Sequence, residues 1–229
     1  MKRGHDVTSV IFFGDSICVG QYVSLHSGWV TRISAHLSTI GKAHKRDVRV
    51  ANVSGNGRIT RQALERMGYE VQSHPLDFLI VQFGLNDCNY WQTDRGLPRV
   101  SPAAFEANLE EIVVRGLHFG AKKVFLNNNH PVGLDGGAMP HTNITYQQSN
   151  EAYNEVIRNL AERFDSRVVF NDIEKAFLER TSGNREKLLE YLLPEPDLVH
   201  LSEPGHELYF DLVYPAIKSA VLDHFDNDC

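Results

Sequence analysis

The feature that most narrows what this chain can fold into is alternation. Short apolar runs at residues 10–13, 48–53, 78–83, 123–126 and 167–170 are separated by longer stretches with apolar residues at helical spacing. The runs read as strands, because strands buried on both faces carry near-continuous apolar residues. Residues 28–38, 59–71, 102–119, 146–164 and 203–225 read as helices, and 172–191 as helix in two pieces broken at Ser182-Gly183. Ser101 before Pro102 is a start signal, and Thr60 is a candidate cap. Such alternation implies a parallel sheet of about five strands with helices on both faces, joined by right-handed crossovers. No repeat, low-complexity segment or linker-like shift interrupts the 229 residues, so one domain over 1–229 is expected.

In a sheet of this kind the turns that follow the strands gather on one edge, where ligands bind. Here those turns are polar: Gly14-Asp15-Ser16, Ser54-Gly55, Gly84-Leu85-Asn86-Asp87 and Asn127-Asn128-Asn129-His130. Gly14 can adopt backbone angles closed to other residues, which would aim Asp15 and Ser16 out of the strand line. Ser16 then reads as a nucleophile. Alone, Gly-Asp-Ser also reads as an ordinary strand-end turn.

A serine hydroxyl needs a base, and the base needs a partner to fix its tautomer. Of eleven histidines, His200 stands out because Asp197 precedes it by three residues, just before a helix start. One turn would put both side chains on the same side, with Asp197 holding Nδ1–H and Nε2 left for Ser16. An ester carbonyl becomes an oxyanion at the transition state and needs preplaced donors. The rim offers the backbone N–H groups of Ser16 and Gly55 and the side-chain amide of Asn86. Gly55 and Asn86 could each be turn residues, but all these groups follow their strands in chain order.

That ordered set resembles the SGNH hydrolases, also called the GDSL esterase/lipase family. Phe13-Gly14-Asp15-Ser16 is similar to the family's first block, Gly55 in Asn52-Val53-Ser54-Gly55 to the second-block glycine, Gly84-Leu85-Asn86-Asp87 to the third block, and Asp197-Leu198-Val199-His200 to the fifth. Ile17 replaces the leucine of the first block. The resemblance implies a flavodoxin-like three-layer α/β/α fold. It also implies hydrolysis of an ester or thioester through an acyl-enzyme, here on Ser16; no cofactor and no metal are expected. It leaves the substrate open among lipids, thioesters and carbohydrate esters.

Tyr90 and Trp91 follow Asn86 on the rim and could stack on a sugar ring or border an acyl chain. Together with Asp15, Asn128 and His130 they form the expected substrate contacts. The amide-rich rim and the long loop 131–145, a candidate wall or lid, favour a polar substrate. The expected substrate is a small-molecule or glycan ester carrying a short acyl group, acetyl first. A lipase or thioesterase, an O-acyltransferase and a non-catalytic glycan-binding module are the alternatives.

Composition excludes other classes. A formal net charge of -6 with well-mixed signs argues against nucleic acid and against a basic membrane-surface helix. No apolar run approaches the roughly 20 residues of a membrane span. Three cysteines without metal-type spacing, and a start that reads as strand, lead to an expected cytoplasmic location. Cys18 and Cys88 read as buried thiols, with a redox-sensitive pair near the site as the alternative. His130, His141 and Asp135 match no standard metal pattern.

Overall fold

The computed structural model describes residues 7–227. Its centre is a five-stranded sheet of β1 (Val7–Gly14), β2 (Asp47–Asn52), β3 (Phe78–Gln82), β4 (Lys123–Asn127) and β5 (Val168–Asn171), all parallel, in the order β2-β1-β3-β4-β5. The apolar residues of β1, β3 and β4 are buried on both faces, which explains their unbroken apolar runs. The edge strands β2 and β5 are only partly covered.

The short α1 (Ser16–Val19) leaves β1, and α2 (Trp29–Ala43) leads back to β2. Then α3 (Thr60–Glu70), α4 (Pro102–His118) and α5 (Tyr146–Ala161) make the remaining crossovers. The chain closes with α6 (Ile173–Thr181), α7 (Arg185–Leu189) and α8 (Glu203–Asn227). Helices α2 and α8 pack on each other, and α3, α4 and α5 pack in succession, giving three α/β/α layers. Trp29, at the start of α2, anchors its layer: its ring packs on Phe12 and Tyr209, and its Nε1–H donates to the Ile17 carbonyl from 2.8 Å.

The expected elements are present, with ends shifted by a few residues. Ser101 accepts from the Ala104 N–H at 3.4 Å, as a cap should. Ser182 breaks the penultimate helical stretch with a left-handed backbone. Thr60 is the first residue of α3 instead of its cap. The capping acceptor comes from another loop: Asp87 Oδ1 takes the Thr60 N–H at 2.9 Å and its hydroxyl at 2.5 Å. Gly14 also differs from expectation. It stays in the β ladder opposite Gln82, without a positive φ. Its role is close approach, since a Cβ would lie 2.5 Å from Cys18 Sγ and 2.6 Å from the Gln82 carbonyl.

The sheet runs one way from β1 to β2 and the other way from β1 to β3. The crevice beyond the carboxyl ends of β1 and β3 is therefore the switch point where open α/β sheets bind ligands. Ser16 follows β1 directly and Asn86 follows β3. No helix among the described residues is long and apolar enough to cross a membrane.

Candidate active site

Asp15 ends the β1 segment by capping α1. Its Oδ1 accepts the Ile17 N–H at 3.0 Å, which turns the chain and leaves Ser16 as the first helical residue at the sheet edge. Ser16 Oγ lies 2.9 Å from His200 Nε2. His200 Nδ1 lies 2.7 Å from Asp197 Oδ2. The other Asp197 oxygen accepts the N–H groups of Val199 at 2.9 Å and His200 at 2.6 Å, closing a tight turn in which Leu198 has a φ of 53°.

Partial burial would raise the Asp197 carboxyl. The backbone N–H of His200, the N–H of Val199 and the His200 ring outweigh it and hold the group below its ordinary value. An ionised Asp197 accepts the Nδ1 proton, so Nε2 faces Ser16 Oγ as an acceptor. A hydroxyl, an imidazole and a carboxylate in this chain can strip the serine proton and return it to a departing group.

The turn 197–200 is fixed from several sides. His130 Nε2–H donates to the Val199 carbonyl at 2.8 Å. The Gly133 N–H donates to the Leu198 carbonyl, and the Leu193 N–H to the His200 carbonyl, both at 2.8 Å. Burial pushes the His130 imidazole down to about 4, so it is neutral and has one N–H to give.

Ser16, Asn86, Asp197 and His200 all line one cavity of about 640 Å³. Its far wall is the loop 133–139. That loop is held by Arg185, whose Nε lies 2.9 Å from Asp135 Oδ2 and whose Nη2 donates to the Gly133 carbonyl at 3.1 Å. Gly136 and Gly137 on this loop have open space around them.

The other expected residues fall elsewhere. Gly55 is not on the cavity wall: its N–H donates to the Gly14 carbonyl at 3.1 Å, and the Arg58 guanidinium covers its Cα. Asp15 lies beneath the site, fully buried, and burial lifts its carboxyl to about 7 against the N–H of Ile17 and the amides of Gln82 and Asn86. Asn128 is buried as a staple for α6, accepting from the Ile173 N–H at 2.6 Å and donating to Asp172 at 2.8 Å. His130 is buried behind the turn 197–200. Tyr90 is half-buried, and Trp91 lies under the Arg99 guanidinium, 4.0 Å from its ring centre. Neither lines the cavity.

Sequence reasoning missed Asn89, Met139, Tyr146, Arg185 and Glu195 on the cavity wall. The loop 131–145, expected from its length to be a wall or lid, does supply the wall that carries Met139. Cys18 and Cys88 are buried free thiols, and burial pushes both well up. Among the described residues, no three or more His, Cys, Asp or Glu side chains are grouped as a metal site would need.

A sequence profile of the GDSL-like Lipase/Acylhydrolase family matches residues 12–208. Among solved structures, the lipase/acylhydrolase from Enterococcus faecalis superposes with a TM-score of 0.71 at 22% identity, covering 93% of this chain and 96% of that one. The acetyl xylan esterase AlAXEase gives 0.71 at 23%, covering 91% and 99%. Axe2, an acetylxylan esterase from Geobacillus stearothermophilus, gives 0.68 at 21%, covering 98% and 96%. These likenesses establish a shared fold. No curated protein sequence matches the chain.

Proposed function

Because the chain belongs to the GDSL-like lipase/acylhydrolase family, we propose that it is a serine esterase working through an acyl-enzyme on Ser16. The observation that carries this reading is the bonded series from Ser16 Oγ to His200 to Asp197, at 2.9 and 2.7 Å, facing a cavity large enough for a small ester.

Ser16 Oγ attacks the ester carbonyl while His200 Nε2 takes its proton. Asp197 supports the imidazolium that forms. His200 then gives the proton to the departing alcohol, and a water attacks the acyl-enzyme by the reverse route. The oxyanion is held by the Ser16 N–H and the Asn86 amide, whose charge-neutral donor does not draw Asp197 away from His200. Gly55 N–H joins them only by sharing its bond to the Gly14 carbonyl.

The substrate we propose is a short O-acyl group, acetyl first, on a carbohydrate. Asn86, Asn89, Arg185 and Glu195 give the cavity polar walls suited to hydroxyls. Two structural neighbours are acetyl xylan esterases. Leu85, Leu134 and Met139 on the same cavity favour a second reading, a longer acyl chain. Hydrolysis of p-nitrophenyl esters from acetate to decanoate by wild type, Ser16→Ala and Asn86→Ala tests both. Serine-dependent cleavage strongest on acetate is expected, with Asn86→Ala slower by about a hundredfold in kcat. A preference for decanoate replaces the first substrate reading with the second. Unimpaired cleavage by Ser16→Ala overturns the mechanism.

A further inference from the structure

We propose that Tyr22 is a stacking platform for the alcohol half of the substrate, which makes it a specificity-determining residue. The loop between α1 and α2 carries it past the nucleophile. Tyr22 combines three unusual properties. The residue is 68% exposed, although most large aromatic residues here are buried. Its φ is 72°, a left-handed conformation that costs a bulky residue strain. Its ring stands edge-to-face with His200, centroids 5.2 Å apart at 86°.

Strained, exposed residues persist where the surroundings over-determine them. Here the Gln21 N–H donates to the carbonyl of Ser16 itself at 3.1 Å, and Ser27 Oγ donates to Glu203 at the start of α8 at 2.8 Å. The loop is thereby tied to the nucleophile at one end and to the helix after His200 at the other.

The chemistry then says what the ring faces. A general acid must reach the leaving oxygen, so the alcohol lies on the His200 side of the bound ester, away from the oxyanion donors. Tyr22 borders His200 without lining the cavity. The cavity and the ring are therefore neighbouring surfaces that meet at the imidazole, and a sugar ester spans both. An exposed aromatic face beside the leaving oxygen suits a ring with an apolar C–H face, such as a pyranose, more than a short flexible alcohol.

This inference rests on the esterase reading, and its test separates the two. Tyr22→Asn removes the ring and suits the left-handed backbone; Tyr22→Phe keeps the ring. Steady-state rates of both and of wild type are measured on peracetylated xylopyranose and on ethyl acetate. Tyr22→Asn is expected to lose on the order of tenfold in kcat/KM on the sugar ester, through KM. On ethyl acetate it stays within about twofold of wild type, and Tyr22→Phe matches wild type on both. Equal loss on the two esters would mean that the ring acts through His200 and would overturn the proposal, as would no loss on either. If wild type cleaves neither acetate but cleaves decanoates, the acetyl reading fails and the platform is judged on cyclohexyl against ethyl decanoate, with the same contrast expected. A wild type inert on every ester overturns both.

Discussion

His130 Nε2–H holds the carbonyl of Val199 at 2.8 Å, one residue before His200. His130 never touches the cavity, yet it fixes the turn that aims the imidazole at Ser16. His130→Leu removes the donor and leaves a carbonyl without its partner. We expect a loss of about 1–3 kcal/mol in urea unfolding, and a drop in kcat larger than any change in KM. Unchanged kcat would show that the turn holds its shape without this bond.

The same histidine gives an acid-side pH dependence. Its folded value is about 4 against an ordinary 6.5, so the unfolded chain binds more protons between those values. Stability contributed by neutral His130 is full above 6.5 and is lost as pH falls towards 4. His206, pushed down to about 3 by burial, acts in the same direction. His130→Leu should therefore show a shallower fall in stability across this window than wild type, measured by urea titrations at several pH values.

Asp15 gives the opposite slope. Burial holds its carboxyl at about 7 in the folded chain against an ordinary 3.8, so the folded state binds the extra proton. Its contribution falls as pH rises from about 4 to about 7. Asp15→Asn keeps an oxygen for the Ile17 N–H and cannot ionise. The stability difference between variant and wild type should move in the variant's favour as pH rises through that window. The histidines are common to both chains and cancel. A difference independent of pH would mean that Asp15 is ionised throughout.

Asp197→Asn should separate catalysis from folding. The asparagine oxygen can still accept the N–H groups of Val199 and His200, but its amide presents a donor to Nδ1 and favours the wrong tautomer. A fall in kcat on the order of ten-thousandfold is expected, with thermal stability nearly unchanged. Retained activity would remove Asp197 from the mechanism.

Arg185→Ala should do the reverse of a core substitution. Its ion pair with Asp135 is half-exposed, so its loss costs little stability, within about 1 kcal/mol. The loop 133–139 that it ties down is the far wall of the cavity. KM is expected to rise several-fold while kcat holds, measured on the preferred ester. An unchanged KM would show that this wall does not contact substrate.

The sheet was legible because β1, β3 and β4 are covered on both faces and their sequences are apolar without a break. That Ser16, Asp197 and His200 meet was legible because each follows a strand or precedes a helix in chain order. Asn128 and His130 were expected on the rim for the same reason, and their polarity misled. A polar residue at a strand end can turn inward when loop backbone needs partners. Here Asn128 serves the N–H groups of α6, Asn154 accepts from the Asn129 N–H at 2.8 Å, and Asn150 donates to the His130 carbonyl at 2.9 Å. Arg185 and Glu195 lie far from Ser16 in sequence and reach the cavity only because α7 and the segment after it fold back over the loop. Nothing in the local pattern at Tyr22 announced a left-handed backbone.

Asp197 and His200 occupy one turn, three residues apart and locked by two backbone bonds to the same carboxylate. They cannot drift relative to each other without unmaking that turn. With that pair held together, the distance that remains to be set by the rest of the fold is the gap to Ser16 at the end of β1. On the proposed mechanism, packing that sets this gap would set the turnover rate without altering any reacting group.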